Sequence, residues 1–404
     1  MPDSNTFLST THAVRVHAGD QALSYLPYEV DRLGARRAMI LCGRSVANKT
    51  ELLPLLADLL GERLVGVFGK MGKDAPLPDI QAAVANARQC RADILVAVGA
   101  GSVLKAARVV DILLSEPGDL DSLVTQYPDN GRPVSPKLRS TKLPIINILT
   151  AGTSAQNRGG AAVKDVENGR RLEFFDPKTR PAAIFWDDRA LLTAPPELAF
   201  TTGLSVYWRS LMNICTLADA NPLVEGSRRQ ALRLSRRAMP RLRNEQDAAA
   251  RIDICAAALL QNRDEDDGGR PFDAHWIARV VYALVAATLT LVDSVDQGSA
   301  NAVYTAPVIR EFGHLCPDIV AALAETIEMD AIPSGRGTAH ALLAEHFEKE
   351  FSDLGVPRHL RDLGVARHML DEIVKLSLLN FNADRNRELG SHQGKLRKIV
   401  YEAW

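Results

Sequence analysis

A short apolar strand that runs through a glycine-rich turn into a helix constrains this chain more than any other feature. Ile94–Val98 is apolar and mostly β-branched, a pattern typical of a parallel strand buried on both faces. Gly99-Ala100-Gly101-Ser102 follows, and apolar residues then recur with helical spacing from Val103 to Val110. Backbone N–H groups at the start of such a helix can bind phosphate, and glycine lets the anion approach closely. The turn therefore predicts a nucleotide site, although a purely structural turn can have the same pattern.

Composition and charge exclude several classes of protein. The chain has 404 residues, 46% hydrophobic and 24% charged, as in ordinary globular enzymes, and this length predicts two domains. A formal net charge of -1 gives no reason to expect nucleic acid or a membrane surface as a partner. The five cysteines form no Cys-x-x-Cys pair, which argues against a zinc ribbon or a disulfide framework and favours a reducing cytoplasm. The polar N-terminus predicts no signal peptide, and the apolar runs are too short to predict a membrane span.

The first half of the chain alternates between predicted strands and helices. Strands are expected at 12–16, 38–42, 64–68, 94–98, 143–149 and 182–185, and helices at 45–60, 79–91 and from residue 103. Such alternation indicates a mostly parallel sheet covered by helices, here an α/β Rossmann-like domain of residues 1–190.

From residue 191 to 404 long helical periodicities punctuated by proline predict an all-helical domain. Helices are expected at 196–217, 222–242, 245–262, 270–293, 300–313, 316–328, 335–350, 358–364 and 366–378. A cleft between the two domains is the place where a ligand is expected.

Five motifs in the same order and at similar spacing resemble the iron-containing alcohol dehydrogenase superfamily, which includes maleylacetate reductases and is distantly related to dehydroquinate synthase. They are Gly99-Ala100-Gly101-Ser102, Thr150-Ala151-Gly152-Thr153, residues 191–208, Gln297-Gly298-Ser299-Ala300-Asn301-Ala302 before Pro307, and residues 382–387. The resemblance implies the fold of that superfamily, an α/β nucleotide-binding domain followed by a helical domain. It also implies NADP or NAD as cofactor, a small-molecule substrate and a homodimer.

The resemblance also assigns a set of cofactor-binding positions. They are Gly43, Arg44, Ser45, Gly99, Gly101, Ser102, Lys105, Thr150 and Thr153. NAD-preferring relatives have an Asp at the position of Gly43, whereas Arg44 and Ser45 can bind a 2′-phosphate, so the chain resembles the NADP-preferring variants. Lys105 and Arg108 stand where the family usually has Asp and Lys. A plain turn with a solvated Arg44, and solvated side chains at Lys105 and Arg108, are the alternatives that remain open.

The same alignment predicts that the metal site of the family is missing. The four metal ligands of the relatives correspond to Ser205, Arg209, Ala283 and Gln297, and a proton-shuttling His corresponds to Ala287. Ser and Gln are poor ligands for a divalent transition metal, Ala offers no ligand atom, and Arg carries a fixed positive charge. We therefore expect no catalytic iron or zinc.

The catalytic candidates are the polar residues at or near these positions: Arg209, Tyr207, Gln297 and Ser205. A guanidinium can bind a carboxylate or polarise a carbonyl, and a Tyr can donate a proton. This predicts a metal-independent NAD(P)H-linked oxidoreductase that reduces a carbonyl compound, one that carries an acid group.

Other interpretations of these residues remain open. Tyr207 can serve packing, Arg209 can form a structural ion pair, and Asp293 and Asp296 can cap or terminate the helix that ends near them. A second function class also remains, a divergent member that has lost redox chemistry and acts as a hydrolase, a lyase or a non-catalytic partner in a biosynthetic pathway.

Overall fold

The chain divides into two compact units in a computed structural model that describes residues 6–128, 133–218, 220–269, 275–329, 338–380 and 382–404. The α/β unit contains residues 11–199 and 241–262, and the helical unit contains the described parts of 1–10, 200–240 and 263–404. The units therefore interleave along the chain, whereas the sequence predicts a single boundary near residue 190.

A six-stranded parallel sheet forms the centre of the α/β unit, which confirms the predicted fold class. Its strands are β1 (Arg15–Gly19), β2 (Ala38–Gly43), β3 (Leu64–Met71), β4 (Ile94–Gly99), β5 (Ile145–Leu149) and β8 (Ala183–Asp187), in the order β1-β8-β5-β4-β2-β3. Every residue of β4, β5 and β8 is buried, which explains their nearly continuous apolar sequences. The edge strand β1 lies three residues later than predicted.

The helices of this unit cover both faces of the sheet. They are α1 (Leu26–Arg32), α2 (Arg44–Lys49), α3 (Leu52–Leu60), α4 (Leu77–Gln89), α5 (Gly101–Ser115), α6 (Leu120–Leu123) and α7 (Asp188–Leu191). Alternate residues of β4 belong to two hydrophobic clusters, Leu95 and Ala97 with α4 and α5, and Val96 and Val98 with α1 and α3. Packing against β4 therefore holds α5 in place directly after the glycine-rich turn that leads into it.

Two features of the α/β unit differ from the prediction. A single helix was expected at 45–60, but Thr50 is extended and separates α2 from α3; its hydroxyl donates to the Val46 carbonyl and accepts from the Leu52 N–H. An antiparallel hairpin of β6 (Gly160–Asp165) and β7 (Arg170–Phe175) was not expected. Its strands are buried on only one face, so charged residues alternate with apolar ones and no continuous apolar run marks them.

The remaining helices are α8 (Pro196–Ile214), α9 (Pro222–Ala238), α10 (Ala248–Asp266), α11 (Trp276–Leu291), α12 (Gln297–Phe312), α13 (Pro317–Thr326), α14 (Ala339–Asp353), α15 (Leu370–Ser377) and α16 (Gln393–Ala403). The predicted helix at 358–364 is a short 3₁₀ turn, Leu360–Leu363, and α16 was not predicted. The predicted helices at 270–293 and 335–350 begin outside the described residues. No described helix is long and apolar enough to cross a membrane, and all five cysteines are free thiols.

Candidate functional site

Three turns of the α/β unit lie side by side at one edge of the sheet. In the register of the strands Cys42 pairs with Val98, and Gly99 pairs with Leu149, so β2, β4 and β5 end at nearly the same level. Because parallel strands end at a common edge, the segments Gly43–Ser45, Gly99–Ser102 and Thr150–Thr153 are neighbours. The structure thus brings together the segments that contain eight of the nine predicted cofactor-binding residues, and Lys105 follows on α5.

The N-terminus of α5 has the properties of an anion site. The helix begins at Gly101, directly after β4, and its N-cap residue Ala100 forms no side-chain hydrogen bond to the first turn. The first turn also contains no acidic residue. Its first N–H groups therefore lack a side-chain cap, and together with the dipole of a 15-residue helix they favour a bound anion.

Glycines keep the backbone at this edge closely packed. A Cβ at Gly99 would lie 2.9 Å from the Val103 side chain, and one at Gly101 would lie 3.3 Å from Thr153 Oγ1. A Cβ at Gly152 would lie only 2.3 Å from the Ile254 side chain of α10. A larger residue would push the turns after β4 and β5 apart at Gly101, would crowd the first turn of α5 at Gly99, and would clash with α10 at Gly152.

Side chains that the sequence analysis missed hold the turn after β5. Asn262 of α10 donates to the Ser154 carbonyl at 2.7 Å and to Asn157 Oδ1 at 2.5 Å. Gln156 donates to the Cys255 carbonyl of the same helix at 2.8 Å and accepts from Trp186 Nε1 at 2.9 Å. These partners are far apart in sequence, so no local pattern could have identified them.

Arg108 of α5 also holds the segment that follows β5 by hydrogen bonds. Its side chain is fully buried and donates to the carbonyls of Ala155 and Gly160, so the alternative of a solvated side chain is wrong for this residue. Burial, together with the positive charges of Arg158 and Arg180, lowers the pKa of Arg108 to about 9. Arg108 thus provides a cation at a position where the family usually has Lys, and its guanidinium binds the carbonyls of the segment after β5.

Ser102 and Lys105 both contact a loop that the sequence analysis did not single out. The N–H of Asp74, which follows β3, donates to Ser102 Oγ at 2.9 Å. The Asp74 carboxylate lies 3.8 Å from Lys105 Nζ. Burial lowers the pKa of Lys105 to about 8, although Asp74 opposes the shift.

Arg44 and Ser45 form the first turn of α2, directly after Gly43, and both side chains are exposed. Their position beside the β4 turn is compatible with binding a 2′-phosphate. The alternative of a plain turn with a solvated Arg44 fits this geometry equally well.

In the helical unit, Ser205 of α8 lies against the start of α12. A Cβ at Gly298 would be 3.0 Å from the Ser205 N atom, so the two helices touch where the predicted motif begins. Gln297 is the exposed first residue of α12. The Asp296 side chain accepts from the Ser299 N–H at 2.8 Å, so Asp296 caps the start of α12 and not, as expected, the end of the preceding helix.

Arg209 and Tyr207 each have a carboxylate partner within the helical unit. Arg209 Nη2 lies 3.1 Å from Glu265 Oε1, with side chains 9% and 36% exposed. The Tyr207 hydroxyl donates to Glu350 of α14. Burial, and then the negative charge of Glu350, raise the pKa of Tyr207 well above its usual value. This geometry favours the packing interpretation for Tyr207 and gives Arg209 an ion pair.

The residues that the resemblance assigns to the metal-ligand positions do not fit a divalent metal. Ala283 is fully buried and has no ligand atom, and Arg209 presents a cation. Within the described parts of the chain, no group of three or more His, Cys, Asp or Glu residues has an arrangement that could hold a metal ion. His275 is a buried cap that accepts from the Ala278 N–H, and burial lowers its pKa to about 4.

Comparison with known proteins identifies the group to which this chain is similar. The sequence model of the iron-containing alcohol dehydrogenases matches residues 13–188. The maleylacetate reductase of Sphingobium indicum is 26% identical over 247 residues, which span 61% of this chain and 60% of the relative. The 4-hydroxybutyrate dehydrogenase of Cupriavidus necator is 26% identical over 61% of this chain and 63% of the relative. Each alignment thus spans less than two thirds of the relative.

A solved structure of 1,3-propanediol oxidoreductase has the same fold over nearly the whole chain. The two structures superpose with a TM-score of 0.79 over 99% of each chain, at 22% sequence identity. The geometry of the glycine turn, the sequence match over residues 13–188 and this likeness in fold agree with one another. The chain is similar to the iron-containing alcohol dehydrogenases and, among them, to maleylacetate reductases.

Proposed function

We propose that this chain is an NAD(P)H-linked oxidoreductase that reduces the carbonyl group of a small molecule without a divalent metal. The observation that carries the proposal is the uncapped N-terminus of α5 beside the turn Thr150–Thr153. The names of two relatives, maleylacetate reductase and 4-hydroxybutyrate dehydrogenase, refer to compounds that carry carboxylates. We extend this to the present chain as a carbonyl substrate with an acid group.

The α/β unit supplies the groups that bind a dinucleotide in this proposal. The N–H groups of Gly101 and Ser102 donate to the diphosphate, and Arg44 and Ser45 bind a 2′-phosphate. When bound, the nicotinamide ring supplies a hydride to the carbonyl carbon of the substrate, and a solvent water supplies the proton that the carbonyl oxygen takes up. The turn after β5, fixed by Asn262, supports the cofactor from the neighbouring strand.

The helical unit supplies the contacts to the substrate oxygen. Arg209 binds the carboxylate or carbonyl oxygen and shares its guanidinium with Glu265, and Gln297 and Ser205 add neutral hydrogen-bonding groups. We assign no step to Tyr207, because its proton is already donated to Glu350. No step passes through a metal, because the donor set at 205, 209, 283 and 297 does not fit one.

A direct binding experiment tests the proposal. The purified protein is titrated with NADPH and with NADH, and cofactor fluorescence and the melting temperature are followed. We expect saturable binding, tighter for NADPH, and cofactor oxidation with maleylacetate as the first carbonyl probe. Absence of binding of either cofactor at millimolar concentration would reject the oxidoreductase and support the non-redox class.

A further inference from the structure

Three carboxylates with largely buried side chains surround one buried amine near the C-terminal end of α5. The carboxylates belong to Asp111, Glu116 and Asp176, and the amine belongs to Lys142, whose side chain is only 1% exposed. Asp111 and Glu116 lie at the end of α5, Lys142 in the segment that leads into β5, and Asp176 directly after β7. This acidic cluster therefore joins three parts of the α/β unit, and its charge must be balanced away from water.

Glu116 and Asp176 each have a cation at contact distance. Lys142 Nζ lies 2.6 Å from Glu116 Oε1 and 3.2 Å from Asp176 Oδ2. The half-exposed Lys178 amine lies 3.0 Å from the same Asp176 oxygen. Although burial acts against ionisation, hydrogen bonds from Lys142 and Ser140 lower the pKa of Glu116. The two lysines thus balance these two carboxylates.

Asp111 has no cation at contact distance. Its side chain is fully buried, and Oδ1 accepts from the Leu143 N–H at 2.9 Å and from the Ser115 hydroxyl at 3.2 Å. Within the described parts of the chain, Oδ2 has no hydrogen-bond partner. An ionised carboxylate in this place would hold a charged oxygen without a donor, so the neutral acid is the more stable form.

The electrostatics of the surrounding elements agree with this geometry. Burial raises the pKa of Asp111 to about 7, and Asp176 adds to the shift, whereas the two hydrogen bonds to Oδ1 and the charge of Lys142 oppose it. Further charged side chains on elements near α5 interact elsewhere, and these are Arg88 of α4, Arg108 of α5 with its neighbours Arg158 and Arg180, and Asp165 with Arg170 of the hairpin.

We propose that Asp111 is a proton-dependent latch between α5 and the segment that leads into β5. The neutral carboxyl binds the Leu143 N–H and adds no charge to the cluster. The ionised carboxylate adds a third buried negative charge, competes with Glu116 and Asp176 for Lys142, and loosens residues 140–143. Because β5 begins here, the latch lies at the opposite edge of the sheet from the glycine turn, and it acts on the stability of the α/β unit.

The direction of the pH dependence follows from linkage. An Asp in the unfolded chain has its ordinary pKa of 3.8, so between about pH 4 and about pH 7 the folded protein binds one proton more at Asp111 than the unfolded chain does. The contribution of Asp111 to the free energy of unfolding therefore falls as the pH rises through this range. It is constant above about pH 8, where both states are ionised.

The first test uses Asp111→Asn, which keeps an acceptor for the Leu143 N–H and the shape of the neutral acid but cannot ionise. The measurement is the melting temperature of the full chain. We expect the excess of the variant over the wild type to grow by at least about 3 °C between about pH 5 and about pH 8. Asp58→Asn, exposed on α3 of the same unit, is the control, and its difference should stay within about 1 °C. A difference for Asp111→Asn that does not vary with pH would overturn the proposal.

Infrared spectroscopy tests the protonation itself, because a neutral carboxyl and a carboxylate absorb at different frequencies. The wild type should show a neutral carboxyl band that is lost with a midpoint near pH 7 and is absent from Asp111→Asn. Glu116→Gln leaves Lys142 with one carboxylate fewer to balance, so the midpoint should fall by at least about half a pH unit. Absence of the band in the wild type at about pH 6 would overturn the proposal. An unchanged midpoint in Glu116→Gln would overturn the competition for Lys142.

Hydrogen exchange tests whether the proton controls the attachment of the segment. Peptides that cover residues 140–145 are compared between the wild type and Asp111→Asn at one pH, so that the intrinsic exchange rates are nearly equal. At about pH 8 the wild type should exchange at least about threefold faster, and at about pH 5 the two proteins should exchange alike. Equal exchange at both pH values would overturn the latch, even if the infrared band shows that Asp111 is neutral.

Discussion

The turn after β4 and the contact between α8 and α12 differ in the kind of group that each is predicted to offer a ligand. At the turn the predicted ligand contacts are backbone N–H groups, and these persist although Ala100 and Lys105 depart from the family pattern. At the helix contact the expected ligands are side chains, and the resemblance predicts that Ser205, Arg209, Ala283 and Gln297 stand at the positions of the four metal ligands. A site whose contacts are backbone N–H groups tolerates side-chain substitutions as long as the fold and its glycines remain. A site whose contacts are side chains loses one contact with each of those side chains that is replaced.

The glycine turn is where a single change is expected to have the largest effect. Gly101→Asp places a carboxylate against Thr153 Oγ1 and a negative charge at the helix N-terminus, so dinucleotide affinity should fall by more than about a hundredfold. Gly394→Asp, in the first turn of α16 where nothing lies within 4 Å of the added Cβ, is the matched control. Fluorescence titration and a melting curve measure the two effects. Full affinity in Gly101→Asp would show that the backbone turn is not the binding site.

A side-chain contact at the same edge should matter less and should be selective. Arg44→Ala removes charge-assisted hydrogen bonds to a 2′-phosphate, so NADPH should bind about tenfold to a hundredfold more weakly while NADH changes little. The control is Arg36→Ala, an exposed arginine that precedes β2 and therefore lies at the opposite edge of the sheet. An equal loss for both cofactors would contradict the assignment of Arg44 to the 2′-phosphate.

The helix contact is tested through Arg209. Arg209→Ala should leave cofactor affinity intact and lower turnover of maleylacetate at least about tenfold. Arg209→Lys should restore only part of that turnover, because the planar guanidinium, which can make two parallel hydrogen bonds, is replaced by a point charge. Glu265→Gln removes the competing carboxylate and is expected to strengthen the binding of an acidic substrate. Arg233→Ala, exposed on α9, is the control. If Arg209→Ala lowers only the melting temperature, the ion pair with Glu265 is purely structural.

Removal of metal should have the smallest effect. We expect no stoichiometric iron, zinc or nickel by elemental analysis, and reductase activity within about twofold after dialysis against a chelator, because the donor set does not fit a divalent ion. About one metal ion per chain, lost together with the activity, would refute this prediction and would require ligands other than those at the aligned positions.

Sequence reasoning predicted the parallel sheet because β4, β5 and β8 are buried on both faces and therefore read as apolar runs. It predicted the glycine turn because Gly99 and Gly101 directly follow the apolar run of β4. The hairpin β6–β7 was missed because one face of each strand is polar. The partners that shape the site were missed because they are distant in sequence. The contacts of Asp74 with Ser102 and of Asn262 with Ser154 depend on how β3 and α10 are placed by the fold.

The interleaving of the two units has a consequence for synthesis of the protein. Residues 241–262 complete the α/β unit, although 200–240 of the helical unit precede them in the chain. A fragment that stops at residue 199 would lack Ile254 and Asn262, and with them the contacts that hold the turn after β5. On the ribosome, more than forty further residues must therefore be synthesised after residue 199 before the last helix of the α/β unit emerges, and during that interval the contact of Gly152 with Ile254 cannot form.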